Sequence, residues 1–590
     1  MTQMPGYPYS PLEGSDGIRL LTIEAVDPEE ECAEIRCKIE KFRLESAPPY
    51  RALSYAWGHT NSKAIILDGS RVKIRENLWH ALWNLRDRGF SVPNLTTRYH
   101  FTKGDTKWIW IDALCIDQRN TAERNHQVRL MGQIYKTAVE VVAWLGCLKE
   151  KSNNGRDFYD VYAWMIGLNK LAEETQLGDG DYYLAGTHLL PEFNPITVLQ
   201  FFDRPYWRRM WIVQEIGLAS DITILFDDLS ANWKGLHRLR MLLSSPSLAP
   251  APAFTARFQL LRTNEKVQGS QAFSLDRHRT SQQSNKLEDL IETCQDSICS
   301  DPRDKVYALL GLAVDCQNDE LAVDYSKTLF QIYADVINFY HPSHSREGGP
   351  SQHTVRFSQM LQRSFDRPSE LRDGADRYLL APDSELSLSA INIFGICTSI
   401  ISGLGQACNS ATILLQLSKL PPHHIDARSR ENMSRTIEDM RKVIPISSQT
   451  SFALQAQNAT RFLVSINTSA TPSSKQIKKS HSTQESQNCL PFVMDNGQTG
   501  YVPMNARIGD SICQFLGCDV AAVLRERPGG YDIVGRALVD KSVAELQGNA
   551  ESWTKKYSYS VPDFGSTFTW TPEQAMYLYL DMATLQQLTA

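Results

Sequence analysis

The chain has no excess of either charge. Its 61 Lys and Arg against 67 Asp and Glu leave a net charge of −6, so nothing in the balance points to a nucleic-acid partner. It is also poor in cysteine: twelve in 590 residues do not make a disulfide scaffold. Cys32/Cys37, Cys294/Cys299 and Cys513/Cys518 share a C-x4-C spacing, none shows C-x2-C, and no His pair follows, so no metal is expected. Neither a G-x-x-x-x-G-K-[ST] loop nor a G-x-G-x-x-G fingerprint occurs, which removes P-loop and standard dinucleotide binding. No G-x-S-x-G elbow surrounds Ser54, which argues against a serine hydrolase. The opening "MTQMPGYPYSPLEGSDG" lacks a basic start and an apolar run, so a cytoplasmic location with reduced cysteines is expected. Residues 386–418 carry no charge and are long enough for a membrane span. Ser, Thr, Asn, Gln and Gly are scattered through them, so they read as strand, turn, and strand or helix, with no membrane span.

What is present suits several globular domains. Hydrophobic residues make up 42% and charged residues 22% of a chain too long for one core, since cores stop growing near roughly 250–300 residues. Residues 1–48 hold two strands, "IRLLTIEAV" and "EIRCKIEKFRL", that lead into the next domain. Over residues 49–220 strands and helices alternate, which argues a parallel α/β sheet flanked by helices. Within it, Asp68-Gly69 marks a hairpin, and Leu78, Leu82 and Leu85 lie at helical spacing. Residues 221–342 read as mainly helical with a flexible segment at 244–285, and 343–498 as a mixed region whose stretches 343–378 and 466–489 are polar and mobile. Residues 499–590 read as a small β-rich domain with a Pro-Gly-Gly turn.

The stretch "WIWIDALCIDQRNTAERNHQVRLMGQIYKTAVEVVAWLG", 108–146, reads as strand, helix, strand. Asn120 with Glu123 three residues on forms a loose capping box. Val128, Met131, Ile134, Tyr135 and Ala138 then form one apolar stripe. Ligands of open parallel sheets sit beyond the carboxyl ends of the strands, and three polar clusters fall near there. They are Ser54, Tyr55, Trp57 and Gly58; Asp112, Cys115, Asp117 and Gln118; and Arg208, Arg209, Gln214 and Glu215, the last group on a helix expected to start near Pro205.

Each cluster has a plain reading beside a chemical one. The first is a strand-to-loop turn or a pocket wall. Asp112 caps a helix or faces a ligand. Cys115, between Leu114 and Ile116, is a small buried hydrophobe or, with His126, a nucleophile and its base. Glu215 shares a face with Trp211 and Trp207, so its carboxylate must be paired or line a cavity. It is a structural ion pair with Arg51, Arg208 or Arg209, or a carboxylate working in an aromatic pocket.

"YRALSYAWG", the stretch 108–146 and "YWRRMWIVQEI" together resemble the three blocks of the fungal heterokaryon incompatibility (HET) domain. "CSDPRDKVYALLGLA" and residues 509–539 resemble segments that often follow this domain in large fungal proteins. The resemblance implies a cytoplasmic role in fungal non-self recognition, in which fusion of incompatible hyphae triggers cell death. A more distant resemblance links the order of elements to Toll/interleukin-receptor (TIR) domains, some of which hydrolyse NAD with a Glu on the corresponding helix. That resemblance implies a TIR-like fold, Glu215 as the catalytic residue and NAD as a substrate, with no cofactor required. It also implies that Tyr55 and Trp57 stack on nicotinamide or adenine, that Arg51, Arg208 or Arg209 meet phosphate, that Asp112 binds a ribose hydroxyl, and that Ser54, Gly58 and Trp211 complete the binding site. The non-enzymatic alternative is a module that self-associates and works with an allelic or non-allelic incompatibility protein.

Overall fold

A computed structural model of the chain describes residues 7–24, 34–58, 60–87, 106–147, 156–173, 195–244, 261, 263–280, 285–316, 321–344, 354–380, 391–406, 452–455, 489–495, 499–515, 520–528, 530–539, 558–561, 566–569 and 575–590. They divide into two compact units, Met1–Ser326 and Lys327–Ala590.

The first unit is built on one sheet. In chain order its main elements are β1 (Gly17–Ile23), β2 (Arg36–Arg43), β3 (Tyr50–Tyr55), β4 (Ser62–Leu67), β5 (Ser70–Arg75), α1 (Glu76–Asp87), β6 (Trp108–Trp110), α2 (Asp112–Cys115), α3 (Thr121–Thr137), β7 (Glu140–Trp144), α4 (Arg156–Glu173), β8 (Ile222–Phe226) and β9 (Leu229–Asn232). The nine strands run in the order β5-β4-β2-β1-β6-β3-β7-β8-β9. The centre, β6-β3-β7-β8, is parallel. These strands are short and buried nearly throughout, as strands covered on both faces must be.

The flanks make the sheet mixed rather than purely parallel. The two-residue turn Asp68-Gly69, with φ of 44° and 76°, can join only antiparallel strands, here β4 and β5. The first two strands belong to this sheet as well. β1 pairs with β2 in register from Gly17↔Arg43 to Ile23↔Cys37, and it bonds β6 at Leu21↔Ile109.

Helix α3 forms as its sequence dictates. The Asn120 side chain accepts from the Glu123 amide at 3.1 Å, and Val128, Met131, Ile134, Tyr135 and Ala138 are all buried. The Glu123 carboxylate does not close the reciprocal box. It accepts from the Asp117 amide at 2.7 Å and from Arg19 of β1 at 2.6 Å, so a buried ion pair ties the first strand to the start of α3.

Three expectations need correction. The segment 201–219 is not one helix: a 3-10 turn, Pro205–Arg208, and a short helix, Ile212–Gly217, are separated around Arg209. There Met210 donates to the Ile298 carbonyl and Ile298 to the Arg208 carbonyl, so a bridge to a distant segment replaces helical bonds. Within 244–285, helices Glu265–Gln268 and Gln271–Thr280 are formed, and the buried Asp276 carboxylate meets Trp233, His237 and Arg240. Within 343–378, helices Thr354–Phe365 and Pro368–Leu380 are formed. Their polar residues misled the pattern because several point inward. Ser358 hydrogen-bonds Tyr333 at 2.5 Å and Thr589 at 2.6 Å.

The second unit contains these helices, the helix Leu329–His344, and strands β10 (Ile391–Leu404), β11 (Phe452–Gln455), β12 (Cys489–Met494), β13 (Thr499–Pro503), β14 (Ser511–Gln514), β15 (Ala521–Arg527), β16 (Gly530–Val539), β17 (Ser558–Val561), β18 (Ser566–Thr569) and β19 (Ala575–Leu580). Eight of them, all but β17 and β18, form a small barrel around Ile401, Phe492, Val502, Ile512 and Val523. The uncharged run therefore contains strand β10, while its residues 386–390 and 407–418 lie outside the described residues, as do 466–488. Among the described residues no helix is long and apolar enough to cross a membrane.

Candidate functional site

The parallel centre sends two chain exits to the same end of the sheet. β3 leaves as Ala56-Trp57-Gly58, and β6 leaves through Ile111 into Asp112. Gly58 turns the first exit with φ +67°, and an added Cβ would stand 3.0 Å from Cβ of Asn77. Asn77 of α1 fastens this exit, donating to the Ala56 carbonyl at 2.5 Å and accepting from the Trp144 indole at 3.0 Å. Asp112 joins the two exits. Its Oδ2 accepts from the Trp57 indole at 3.1 Å and its Oδ1 from the Ala113 amide at 2.7 Å. Gln118 donates to the Asp112 carbonyl at 3.0 Å.

A cavity of about 410 Å³ opens beside these groups, within the size range of small-molecule sites. Trp57, Asp112 and Gln118 form one wall, and Arg209 and Trp211 another. Arg75 also lines it, with its guanidinium 5.1 Å from the Trp57 ring centre.

Glu215 lies just behind Arg209. It is 1% exposed and does not itself line the cavity. Its Oε2 accepts from the Ser54 hydroxyl and stands 3.6 Å from Arg209 Nη1, and Ser54 is hydrogen-bonded to the Tyr206 hydroxyl at 2.7 Å. Burial pushes the Glu215 carboxyl up to about 7, and Arg209 and Ser54 only partly offset this. The same Arg209 donates to the Tyr55 carbonyl. Tyr55 is buried, which raises its phenol well above the ordinary range, with Asp112 adding to the effect.

A third wall comes from far along the chain. Ile298, Cys299, Ser300, Asp304 and Tyr325 all line the cavity. Asp304 is 6% exposed, and its Oδ1 accepts from the Tyr325 hydroxyl at 2.6 Å. Burial pushes its carboxyl up to about 7, against hydrogen bonds from Tyr325 and Trp211 that favour the charge. Arg124 of α3 also lines the cavity, 4.3 Å from the Tyr325 ring centre.

The structure brings together Trp57, Gly58, Asp112, Arg209 and Trp211 at the cavity, with Ser54, Tyr55 and Glu215 packed behind them. Arg51 does not join them. It stands near the opposite end of β3, 3.2 Å from Glu140 and donating to the Thr106 carbonyl at 2.7 Å. Arg208 has an exposed side chain and does not line the cavity, because the break around Arg209 turns successive side chains apart. Cys115 is fully buried, burial pushes its thiol up to about 12, and its Sγ accepts from the Ile111 amide at 3.4 Å, which leaves no thiolate for catalysis. Pattern reading missed Arg75, Arg124, Asp304 and Tyr325. The one signal, for Asp304 alone, was the block 299–313, whose acidic and basic residues lead into an apolar helix. Among the described residues no three His, Cys, Asp or Glu side chains stand close enough to hold a metal ion.

Comparison with known proteins places part of the chain in a family. Residues 50–215 match the family described as Heterokaryon incompatibility protein (HET). A curated protein of Neurospora crassa, "Heterokaryon incompatibility protein 6, OR allele", is 25% identical over 339 residues, covering 51% of this chain and 48% of that protein. The chain thus spans about half the length of the curated relative it matches. No solved structure matches. Residues 50–215, which carry β3, β6 and β7 of the parallel centre and two walls of the cavity, form a HET domain.

Proposed function

We propose that this protein is an effector of fungal heterokaryon incompatibility whose HET domain binds a nucleotide such as NAD in the cavity and cleaves it, bringing on cell death. The observation that carries the reading is the 410 Å³ cavity bounded by Arg209, which is paired at 3.6 Å with a carboxyl group raised to about 7. A carboxyl poised there suits acid–base and electrostatic work at neutral pH. The parallel with TIR domains supports the same chemistry. On nucleotide binding the Arg209 guanidinium turns from Glu215 to phosphate, and the carboxylate faces the sugar. The bond from ribose C1′ to the nicotinamide nitrogen breaks, and its electron pair leaves with nicotinamide. The carboxylate steadies the oxocarbenium-like centre, and water adds to C1′ and loses its proton, giving ADP-ribose.

A second reading, assembly without catalysis, rests on Glu215 being 1% exposed and held by Ser54 and Arg209. Self-association, or pairing with an allelic or non-allelic incompatibility protein, would then carry the signal. The test expresses the full chain and its Glu215→Gln variant in a yeast or filamentous fungal host and records NAD level and viability together. NAD should fall with the wild type and hold with the variant, since losing a catalytic acid or base costs about 10²–10⁴ in rate. Death with NAD unchanged, at equal protein level, would establish the assembly reading instead.

A further inference from the structure

We infer that Asp304, from the segment that follows the HET domain, accepts a hydrogen bond from a ribose hydroxyl of the bound ligand. This rests on the nucleotide reading above and names the part of the nucleotide that the third wall reads.

Three carboxyl groups lie at or near the cavity, and geometry separates them. Glu215 does not line it. Asp112 lines it, but one of its oxygens is tied to the backbone amide of Ala113 and the other to the Trp57 indole, so it serves to join the two strand exits and set the Trp57 ring. Asp304 lines it from the third wall, on the first turn of the helix Asp304–Leu310, and its carboxyl is held only by side chains that line the cavity too, Tyr325 at 2.6 Å and Trp211. A carboxylate facing a ligand accepts hydrogen bonds and therefore selects donors.

The charged neighbours narrow the donor. Arg75, Arg124 and Arg209 line the same cavity against Asp112 and Asp304, three cations to two anions. That balance favours a phosphate on the ligand. Trp57 and Trp211 give the cavity aromatic surface that suits a planar base. A ligand with phosphate, a planar base and neutral hydroxyl donors between them is a ribonucleotide. A buried acceptor left unmet by a deoxy sugar is costly, which makes the site selective for ribose. Asp304 and Tyr325 lie outside the 50–215 match, so the binding unit extends beyond the HET domain to the segment up to residue 325.

The test titrates the full chain by calorimetry with nicotinamide mononucleotide and adenosine monophosphate, each beside its 2′-deoxy and 3′-deoxy analogues. The wild type should prefer a ribonucleotide over one deoxy analogue by about 10- to 100-fold, as for a lost hydrogen bond to a charged group. Asp304→Asn should abolish most of that preference, and Tyr325→Phe, which keeps the carboxyl, should reduce it by only a few fold. If Asp304→Asn does not fold, the wild-type sugar preference and the Tyr325→Phe variant decide the matter. Equal binding of ribo and deoxy forms, or a preference that survives the Asp304 and Tyr325 changes, would overturn the assignment while leaving the nucleotide reading intact. Absence of binding by both ribonucleotides to the wild type would overturn both.

Discussion

Replacing Glu215 by Gln changes one thing cleanly, the ability to ionise. The folded protein holds the Glu215 proton up to a pH of about 7, whereas an ordinary glutamate releases it near 4.5. Between those values the folded state binds more protons than the unfolded state, so this group's contribution to stability falls as pH rises. The full loss is about 3 kcal/mol, roughly 1.4 kcal/mol for each pH unit between the two values, and most of it falls between pH 5 and pH 8. The amide introduced by Glu215→Gln would keep an acceptor for Ser54 and remain neutral at every pH. Wild type and Glu215→Gln should therefore be similar in stability at pH 5, and the variant should be the more stable by about 2–3 kcal/mol at pH 8. Urea unfolding followed by tryptophan fluorescence reads this well, because ten of the twelve tryptophans precede residue 327. Parallel pH profiles for the two proteins would refute the reasoning. A wild type that gained stability from pH 5 to pH 8 relative to the variant would show that Arg209 outweighs burial and that Glu215 is an ordinary ionised partner.

Other outcomes follow from the same structure. Arg19→Met should cost about 3–5 kcal/mol, because it leaves Glu123 buried without its cation, and thermal unfolding checks this. A loss under about 1 kcal/mol would mean that the first strand is not integral to the sheet. Gly235→Ala should cost about 3 kcal/mol or more, since its Cβ would stand 2.0 Å from the Leu168 carbonyl oxygen of α4, a backbone atom that cannot step aside. Little soluble protein, or a melting temperature lower by roughly 6 °C or more, is the expected result. Cys115→Ala should cost only about 1 kcal/mol and leave the effect on NAD and viability unchanged, because the buried thiol stays protonated. Loss of both effects in a folded Cys115→Ala protein would return the cysteine to the mechanism.

Local signals in the chain were enough where a few neighbouring residues set the backbone. Asp68-Gly69 specified a hairpin, Asn120 capped α3, and the apolar stripe of α3 named the face that is buried, because each rests on a few neighbouring residues and their backbone preferences. The sequence also placed Trp57 and Asp112 at strand exits, where parallel sheets bind ligands, and singled out Glu215 as a carboxylate needing a partner. Tertiary structure alone decided which partner that was. Arg51, Arg208 and Arg209 are equivalent on paper, and only Arg209 reaches Glu215, because Ile298 bridges the backbone there and breaks the helix. Only tertiary structure brought Asp304 and Tyr325 to a cavity whose other walls come from much earlier in the chain. Pairings of that kind are set by the packing of whole elements against one another, and no spacing along the chain encodes them.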